Sequence, residues 1–584
     1  MRKRFSLIGF ILEKKALCAV FTVATVILSV AAPLKSYIIQ WLLDSGSKTE
    51  ALQYMASGMG IILLSHIAEY ISRDSFARMA TKSIEQIRMK LMDVQMHKTM
   101  KKYLEENTGD MLSVLTNDMR LLCDGYYMGI FNIIMWGSMG IVALVMLAVI
   151  SPFILVCAVV LCLLPLLVPK LTAEDLSRKK KAYSEDTAGY TGKVGELLKG
   201  EEALITANAS SYCIRVHGEA AVSNQKKDYG MRKITNSISV ISSLVSWVPN
   251  IMILFVGVFM VFEGKITMGY LVTINSLVAF VISPFRAVAG SYAGIKSSSA
   301  IKKKIEEMLN LESPETGTQA IAGFSEIVLE NVSFAYPGKD RPALNEINFT
   351  VRSHEKIAIV GSSGSGKSSL MKLLYRYYED YGGRISVNGI NMHDIHLGSY
   401  YDNAAMVPQT PFLFSDTIYN NLCLYRAYPM EQVLRAVEIS GLTDFIESQP
   451  EGLQTILHEN GRNLSGGQVQ RIAIARAVLH KCGLLLADEI TSNLDVITTD
   501  GIMKNLLKLD CAVVVITHDI FGEYMSGFDR IYYLEDGQIK EQGDLDMLLG
   551  LHGRFYELYQ TINSMDMKRG KYNEHEKTYV ARTI

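Results

Sequence analysis

The sequence predicts a multi-domain fold in which an all-α half, with six membrane-spanning helices and long cytoplasmic helical extensions, precedes an α/β half. Three observations lead to this fold class. Every long apolar run of the 584 residues lies before about residue 312. The connections between those runs alternate between very short and very long. Beyond them, a glycine-rich loop stands between a short apolar run and a segment with helical spacing, an order typical of α/β domains.

Six apolar segments predict membrane-spanning helices, most of them near the roughly 20 residues that cross a bilayer. They are Ala16–Leu43, Leu52–Arg73, Tyr126–Ile150, Pro152–Val168, Ser243–Phe262 and Met268–Phe285. The connections after the second and fourth segments are about fifty and seventy residues long and carry clusters of Lys and Arg. The positive-inside rule therefore puts these long connections and both termini in the cytoplasm. We expect the spans to continue into them as helices.

The regions outside the spans set the predicted domain boundaries. Residues 1–15 mix basic and apolar side chains and predict a cytoplasmic interfacial helix, with a cleaved signal peptide as the alternative. The six-span domain covers 16–312, a linker 313–323, the α/β domain 324–563, and a polar tail 564–584. The net charge of −1 argues against a nucleic-acid partner, whereas the spans imply the lipid bilayer as one.

The glycine-rich loop reads Gly361-Ser362-Ser363-Gly364-Ser365-Gly366-Lys367-Ser368, the G-x-x-x-x-G-K-[ST] pattern of a phosphate-binding loop. A run that reads as a buried strand precedes it, and a run that reads as a helix follows. Glycines let successive N–H groups face phosphate oxygens, and the helix N-terminus adds a partial positive charge. Lys367 is expected to reach the β- and γ-phosphates, and the Ser368 hydroxyl to bind Mg²⁺. A flexible Gly/Ser-rich loop is the alternative.

Further motifs follow the loop in a fixed order. Predicted strands end at Gln409, at Asp488-Glu489 and at His518, and Leu464-Ser465-Gly466-Gly467-Gln468 stands ahead of a predicted helix. Together with Phe334-Ala335-Tyr336-Pro337, these motifs resemble the ATP-binding-cassette (ABC) transporter family across the whole chain. Six spans fused ahead of one cassette resemble an exporter-type half-transporter, similar to bacterial peptide and multidrug exporters.

The resemblance implies ATP and Mg²⁺ as cofactors and gives each motif a role. Tyr336 would stack on adenine, Asp488 and Gln409 would complete the Mg²⁺ site of Ser368, Glu489 would be the general base, and His518 would bind the γ-phosphate. Lys367 would act in catalysis with Glu489, His518 and Gln409. The nucleotide-binding set also includes the loop from Gly361 to Ser368, Ser369, the signature Leu464, Ser465, Gly466, Gly467 and Gln468, and Asp495.

In this family the signature faces the nucleotide of a partner cassette, so the resemblance implies that ATP is buried between two chains. Both Glu489 and the signature are intact, which favours a homodimer, although a heterodimer stays open. Asn493 and His458 depart from the family pattern, which has Ala and Gly there, while Glu459 and Gly461 keep it. Neither departure touches phosphate in the family's arrangement.

The resemblance implies ATP-driven export by alternating access, from a bacterial plasma membrane, with the termini and the cassette in the cytoplasm. The expected substrate is a peptide or an amphipathic small molecule, because the segment Glu459–Asn463 is similar to that of bacteriocin exporters. An exporter-fold importer of metal chelates, a lipid flippase and an ATP-gated regulator are the alternatives. Six spans disfavour a soluble cassette ATPase.

Lys35 is the one charge well inside the first span. It lies eight residues from Leu43, or ~12 Å below the outer end of the helix. Its stripe of the helix carries small residues, which favours contact with other helices, and no carboxylate is predicted at its depth. We expect Lys35 to contact substrate carboxylates in the outer half of the cavity. The alternative is a lysine that extends to the outer headgroups.

Overall fold

The structure is a computed structural model that describes residues 5–105, 108–162, 164–310, 317–339, 341–458, 461–491, 494–518, 520 and 523–561. The chain divides into two compact units. The first consists of Met1–Met96 and Thr108–Leu311, and the second of His97–Asn107 and Glu312–Ile584. A short segment from the N-terminal half of the sequence therefore belongs to the second unit.

The first unit is helical throughout its described elements. Its helices are α1 (Leu7–Leu12), α2 (Lys15–Leu34), α3 (Tyr37–Leu43), α4 (Lys48–Met96), α6 (Thr108–Ser113), α7 (Met119–Leu121), α8 (Met128–Ile150), α9 (Pro152–Cys162), α10 (Leu164–Lys199), α11 (Glu201–Thr206), α12 (Ser210–Phe262), α13 (Met268–Ser297) and α14 (Ser299–Leu309), with π-helical turns at Val114–Asp118 and Leu122–Tyr127. Helix α5 (Met100–Glu105) belongs to the second unit.

Four helical stretches of the described residues are long and apolar enough to cross a membrane: Lys15–Leu43, Lys48–Met96, Gly109–Ile150 and Ser210–Phe262. Shorter apolar helices, Pro152–Leu161 and Met268–Pro284, lie where the fourth and sixth spans are predicted. Helices α4 and α12 have 49 and 53 residues, or about 75 to 80 Å at 1.5 Å per residue. Because the hydrocarbon core is only about 30 Å thick, both helices extend far beyond it.

Helices α8 and α13 approach closely because glycines keep side chains out of their contact. A Cβ added to Gly129 would lie 2.7 Å from Ile295 Cγ1, and one added to Gly140 would lie 2.7 Å from Pro284 Cγ. Lipid tails are as apolar as Leu, so helix association in a membrane depends on such close packing more than on apolar burial.

The N-terminal segment is fastened to α14 and to the turn before α8. The Phe5 N–H donates to Asn310 Oδ1 (2.9 Å), and Asn310 Nδ2 donates to the Phe5 carbonyl (3.1 Å). The Leu7 N–H donates to Glu306 Oε1 (3.3 Å), and the hydroxyl of the fully buried Tyr127 donates to the Leu7 carbonyl (3.0 Å). Helix α1 is thus fixed by hydrogen bonds from two elements distant in sequence.

The second unit contains an antiparallel sheet in the order β2-β1-β4-β5 and a six-stranded sheet in the order β10-β9-β3-β8-β7-β6. The strands are β1 (Glu326–Phe334), β2 (Leu344–Arg352), β3 (Lys356–Gly361), β4 (Gly382–Val387), β5 (Ile390–Asn391), β6 (Ala404–Val407), β7 (Leu484–Asp488), β8 (Ala512–Ile516), β9 (Arg530–Glu535) and β10 (Gln538–Gly543). The helices are α15 (Lys367–Leu374), α16 (Leu397–Asn403), α17 (Ile418–Cys423), α18 (Met430–Ile439), α19 (Thr443–Glu447), α20 (Gly466–Leu479), α21 (Val496–Leu507) and α22 (Leu545–Leu551).

Strands β3, β6, β7 and β8 are parallel neighbours in the six-stranded sheet. Every residue of β3, β7 and β8 is buried, as expected for parallel strands that are covered on both faces. The carboxyl ends of all four strands meet at one edge of the sheet, which is where open α/β sheets bind ligands. The sheet therefore brings together segments that are far apart in sequence.

Helix α5 packs within the second unit, where Lys101 Nζ forms an ion pair with Asp380. Burial raises the pKa of Tyr377 above its ordinary value, and the nearby Tyr103 adds to the effect. The two tyrosines and the ion pair place α5 against the segment that follows α15.

Asn310→Ala should release the N-terminal segment, because one side chain supplies both an acceptor and a donor to Phe5. Each hydrogen bond contributes about 0.5–1.5 kcal/mol, so amide hydrogen exchange over residues 5–12 should rise by roughly tenfold. Ser297→Ala is the matched control, since the Ser297 hydroxyl bonds only the Gly294 carbonyl of its own helix. Equal exchange in the two variants would contradict the role of Asn310.

Candidate nucleotide-binding site

The glycine loop runs from the end of β3 to the start of α15, and two of its glycines are fixed by neighbouring backbone. Gly361 (φ 150°) and Gly366 (φ 104°) have positive φ. A Cβ on Gly361 would lie 2.1 Å from the Leu534 carbonyl oxygen, and one on Gly366 would lie 2.7 Å from that of Ala343. Any other residue would collide there, so both positions require glycine. Its N–H groups stand at the N-terminus of α15, a favourable place for phosphate.

The side chain of Lys367 folds back onto the glycine loop. Its residue is 5% exposed, and Nζ donates to the carbonyls of Gly361 and Ser362, both at 2.9 Å. Burial lowers the pKa of Lys367 below its ordinary value, although the charges of Glu489 and Asp488 oppose the shift. Among the described ion pairs, none joins this ammonium to a carboxylate, and a phosphate oxygen would supply a directly bonded anion.

Asp488 ends β7 beside the loop. It is 5% exposed, and Ser368 Oγ donates to Asp488 Oδ1 across 3.3 Å. Desolvation raises its pKa above the ordinary range, and the negative charge of Glu489 adds to that effect. A buried carboxylate with one long hydrogen bond is poorly compensated. Mg²⁺ prefers carboxylate and hydroxyl oxygens, so this pair of side chains fits the ion.

Glu489 has a strained backbone and a fixed carboxylate. Its φ is +50°, a left-handed conformation that costs a non-glycine residue about 1–3 kcal/mol. Gln409 Nε2 donates to Glu489 Oε2 (2.6 Å), and His518 Nε2 lies 2.8 Å from Oε1. An ionised carboxylate only accepts hydrogen bonds, so His518 Nε2 carries the proton. Strain of this kind is typical of functional sites.

The structure therefore brings Gln409, Asp488, Glu489 and His518 together at the sheet edge next to the loop. Gln409 and His518 both contact Glu489. From the sequence, Gln409 is expected to bind Mg²⁺ and His518 to bind the γ-phosphate, and these contacts with Glu489 are not predicted. A contact between two strand-end side chains depends on the register of β6, β7 and β8, which no single motif specifies.

Tyr336 is held beside the first turn of α15. Its hydroxyl is 2.9 Å from Ser369 Oγ, and its ring packs edge-on against Phe334 (5.0 Å) and Tyr378 (5.5 Å). Lys372 Nζ lies 6.0 Å from the Tyr336 ring centroid. Sequence reasoning missed Tyr378 and Lys372. The tyrosine-rich segment after α15, Tyr375 to Tyr381, is the signal that marks an aromatic cluster there.

The signature begins helix α20. Ser465 Oγ accepts from the Gln468 N–H (3.2 Å), and Gln468 Oε1 accepts from the Ser465 N–H (2.8 Å), which is a complete capping box. This box leaves the N–H groups of Gly466 and Gly467 unpaired within the helix, and Ser465 and Gly466 are exposed. Among the described hydrogen bonds, none joins the signature to the glycine loop of the same chain.

The remaining sequence-predicted positions are placed as follows. Asp495 caps α21 by accepting from the Thr498 N–H (3.0 Å). The His458 N–H donates to Asn463 Oδ1 (3.0 Å), and Gly461, with φ +66°, closes the turn that His458 begins. Asn493 and Glu459 lie outside the described residues. Lys35 lies in the first unit, between α2 and α3.

Comparison with known proteins agrees with this architecture. Residues 16–285 match the ABC transporter transmembrane region, and residues 344–492 match the ABC transporter family. An ATP-dependent lipid A-core flippase of Haemophilus influenzae is 30% identical over 90% of this chain and 91% of its own length. A mesentericin-Y105 transport/processing ATP-binding protein of Leuconostoc mesenteroides is 28% identical over 96% of this chain and 78% of its own.

The fold matches a solved structure as well. A bacterial Atm1-family ABC exporter with ATP bound has a TM-score of 0.79 to this chain, covering 95% of this chain and 99% of that one at 21% identity. These matches confirm the predicted fold class and the fusion of a membrane domain with an ATP-binding cassette. The chain belongs to the ABC transporter family, as an exporter-type half-transporter that couples ATP hydrolysis to transport across a membrane.

Proposed function

We propose that Glu489, Gln409 and His518 form the hydrolytic centre of a homodimeric exporter of peptides or amphipathic small molecules. The observation that carries this proposal is the Glu489 carboxylate, held between Gln409 Nε2 and His518 Nε2 beside the phosphate loop. A carboxylate fixed at both oxygens and next to a triphosphate site is suited to general base catalysis on a water.

The contacts of Glu489 leave acceptor positions on its carboxylate for a water. Each carboxylate oxygen has two acceptor positions, and Gln409 and His518 take one on each. The position left on either oxygen is available to orient a water and to receive its proton. Hydrogen bonds to both oxygens hold the carboxylate in one orientation, so the remaining acceptor position faces one direction. The strained backbone of Glu489 is thus accompanied by two side-chain hydrogen bonds, and these bonds fix the orientation of the carboxylate.

ATP binding would replace weak hydrogen-bond partners of Lys367 with stronger ones. Lys367 would leave two neutral carbonyls for phosphate oxygens, and charge-assisted hydrogen bonds are roughly twice as strong. Ser368 and Asp488 would hold Mg²⁺, which stabilises charge on the phosphoryl oxygens when bound. Gln409 uses its Nε2 on Glu489, so its Oε1 stays available as the expected further ligand. Tyr336, whose hydroxyl contacts Ser369 Oγ, is the proposed stacking partner of the base.

The signature supports a dimer. The N–H groups of Gly466 and Gly467 form an exposed anion site at the N-terminus of the 14-residue helix α20. Since this chain makes no described hydrogen bond between that site and its own glycine loop, a second copy is the proposed source of the phosphate that the signature binds. Two intact sites per dimer would follow from two identical chains.

The substrate class rests on the relatives. One of them is named for the transport and processing of mesentericin-Y105, which supports a peptide or an amphipathic small molecule. The lipid A-core flippase relatives favour a second candidate, a lipid. A bacterial plasma membrane, with both termini and the cassette in the cytoplasm, is the proposed location, supported by the basic connections and by bacterial relatives. Flux in inverted vesicles tests direction: uptake that requires ATP supports export, and ATP-driven release would indicate import.

Glu489→Gln should lower ATP hydrolysis by about 10²-fold or more, because the amide cannot accept the proton from water. Asp488 and Lys367 are unchanged, so ATP affinity should stay within a few-fold of the wild-type value. Turnover and nucleotide binding on purified protein measure the two effects. Glu447→Gln, the same charge change at an exposed residue of α19, is the control. Near-normal turnover by Glu489→Gln would refute the base assignment.

The chain expressed alone should hydrolyse ATP and have about twice the 65.0 kDa mass of one chain. Lys367→Ala and Ser465→Arg should each abolish activity, since each spoils both sites of a homodimer. Coexpression of the two variants should restore activity, because a mixed dimer has one site with an intact loop and an intact signature. Copurification of both variants without any recovery, or a need for a different gene product, would contradict the homodimer.

A further inference from the structure

Helix α20, which carries the signature at its N-terminus, also holds the chain segment around Gln409. That segment, residues 408–414, follows the end of β6. Arg476, in the last turn of α20, donates from Nη1 to the Phe412 carbonyl (3.2 Å) and from Nε to the Asn421 carbonyl (2.9 Å). One guanidinium therefore joins α20 both to the 408–414 segment and to α17.

The Arg476 guanidinium is buried with backbone carbonyls as its partners. Its Nη2 is buried without a hydrogen-bond partner in the described part of the chain. Burial lowers the pKa of Arg476 below its ordinary value, with no contribution from a charge among the described residues. Burying a cation without a counterion is unfavourable, so packing alone would favour an apolar side chain here. The planar guanidinium instead supplies N–H groups that bond two carbonyls at once in a fixed geometry.

Asn421 extends this connection to a second point of the 408–414 segment. It is fully buried, its Oδ1 accepts from the Phe414 N–H (2.9 Å), and its Nδ2 donates to the Phe414 carbonyl (3.0 Å). The carbonyl of Asn421 is the one that accepts from Arg476 Nε. The segment is thus fixed by Arg476 directly at Phe412 and, through Asn421, at Phe414.

Leu413, between these two anchors, packs against the same helix. It is fully buried in an apolar cluster that includes Ile472 and Ala475 of α20. A Cβ added to Gly461 would lie 3.0 Å from Leu413 Cδ1 and 3.6 Å from Leu464 Cδ1. The first residue of the signature and the 408–414 segment therefore pack against one glycine, and polar and apolar contacts both fasten the segment to α20.

Gln409 stands three residues before Phe412 on this segment. Pro408 and Pro411 limit the backbone on either side of it, because proline fixes its own φ and restricts the residue before it. The Gln409 side chain is exposed, and its described hydrogen bond is the one to Glu489 Oε2 (2.6 Å). The placement of its amide on the carboxylate therefore depends on how its backbone is held.

We propose that Arg476 is a positioning residue for Gln409: it fixes the 408–414 segment on α20 and so holds Gln409 Nε2 on the Glu489 carboxylate. The proposal rests on the hydrolytic role proposed above for Glu489 and Gln409. Helix α20 then serves both sites of the proposed dimer. Its N-terminus faces the nucleotide held by the partner chain, whereas Arg476 acts on the hydrolytic centre of its own chain. A purely structural role differs, because loss of Arg476 would then loosen α20 and weaken the signature.

Arg476→Met should lower the kcat of the purified full-length chain by about tenfold, since the base loses one of its two fixed hydrogen bonds. The Kd for ATP should stay within about threefold of the wild-type value, because the glycine loop and Lys367 are unchanged. Gln409→Ala should lower kcat at least as much. Adding Arg476→Met to Gln409→Ala should lower kcat by less than about a further twofold, because the side chain that Arg476 positions is then absent.

Arg471→Met is the matched control for these measurements. Arg471 lies on the same helix, and its Nη1 donates to the Gly441 carbonyl (2.6 Å), outside the 408–414 segment. Its Nε is also buried without a partner among the described residues, so the two arginines differ chiefly in the segment that they bind. The control should keep kcat within about twofold of wild type. A near-normal kcat for Arg476→Met, or losses that multiply in the double variant, would overturn the proposal.

The mixed dimer of Lys367→Ala and Ser465→Arg separates the positioning role from a structural one. Its competent site combines the glycine loop and Gln409 of the Ser465→Arg chain with the signature of the Lys367→Ala chain. Arg476→Met should lower activity by about tenfold when it is added to the Ser465→Arg chain, and by less than about twofold when it is added to the Lys367→Ala chain. Equal losses from the two chains would refute positioning and assign Arg476 to the structure of α20.

Two further results keep the test decisive. A mixed dimer that is inactive before Arg476 is changed would refute the homodimer, and the double variant with Gln409→Ala would still decide the role of Arg476. Where Arg476→Met does not fold, Arg476→Lys takes its place, since it keeps the charge without the planar fork of N–H groups. It should lower kcat by about fivefold in the wild-type background and by less than about twofold beside Gln409→Ala.

Discussion

The alignment of four parallel strand ends is the constraint on which the chemistry of this chain depends. Strands β3, β6, β7 and β8 are hydrogen-bonded neighbours, so the glycine loop, Gln409, the Asp488-Glu489 pair and His518 end at one edge. A slip of one residue in any strand would turn its terminal side chain to the opposite face of the sheet. The buried, β-branched and Leu-rich strands oppose that slip because their side chains pack on both faces.

The same edge concentrates several interactions that are unfavourable to the folded cassette. Burial disfavours the charged form of both Lys367 and Asp488, and the pKa of each shifts accordingly. Glu489 adds a left-handed backbone. Each of these features lowers the stability of the folded cassette.

The sequence predicts the fold class, the glycine loop and the order of the motifs, since each depends on residues that are near one another in the chain. Contacts between residues on different strands are harder to predict from the sequence. Neither the grip of Gln409 and His518 on Glu489 nor the Tyr336–Tyr378 packing follows from local pattern, because both depend on strand register and helix placement. The turn at Lys35 and Ser36, between α2 and α3, is also missed, although Pro33 precedes it: an apolar run predicts a span and says nothing of a local turn within it. On the stripe of the first span that contains Lys35, Ala24, Ala31 and Ala32 are buried, whereas Ile39 and Leu42 are exposed.

Helix α5 gives the second unit a discontinuous sequence, and this has a consequence for synthesis. Lys101 precedes its partner Asp380 by 279 residues. At about 5–20 residues per second, the ribosome needs roughly 15 to 55 s to make that stretch. During that interval α5 exists without the surface on which it packs, and the four membrane-spanning segments that follow it are made before any of the cassette. The cassette therefore completes its fold late, around an element that was already tethered to the bilayer, and a fragment that begins at the linker is a different folding problem from the whole chain.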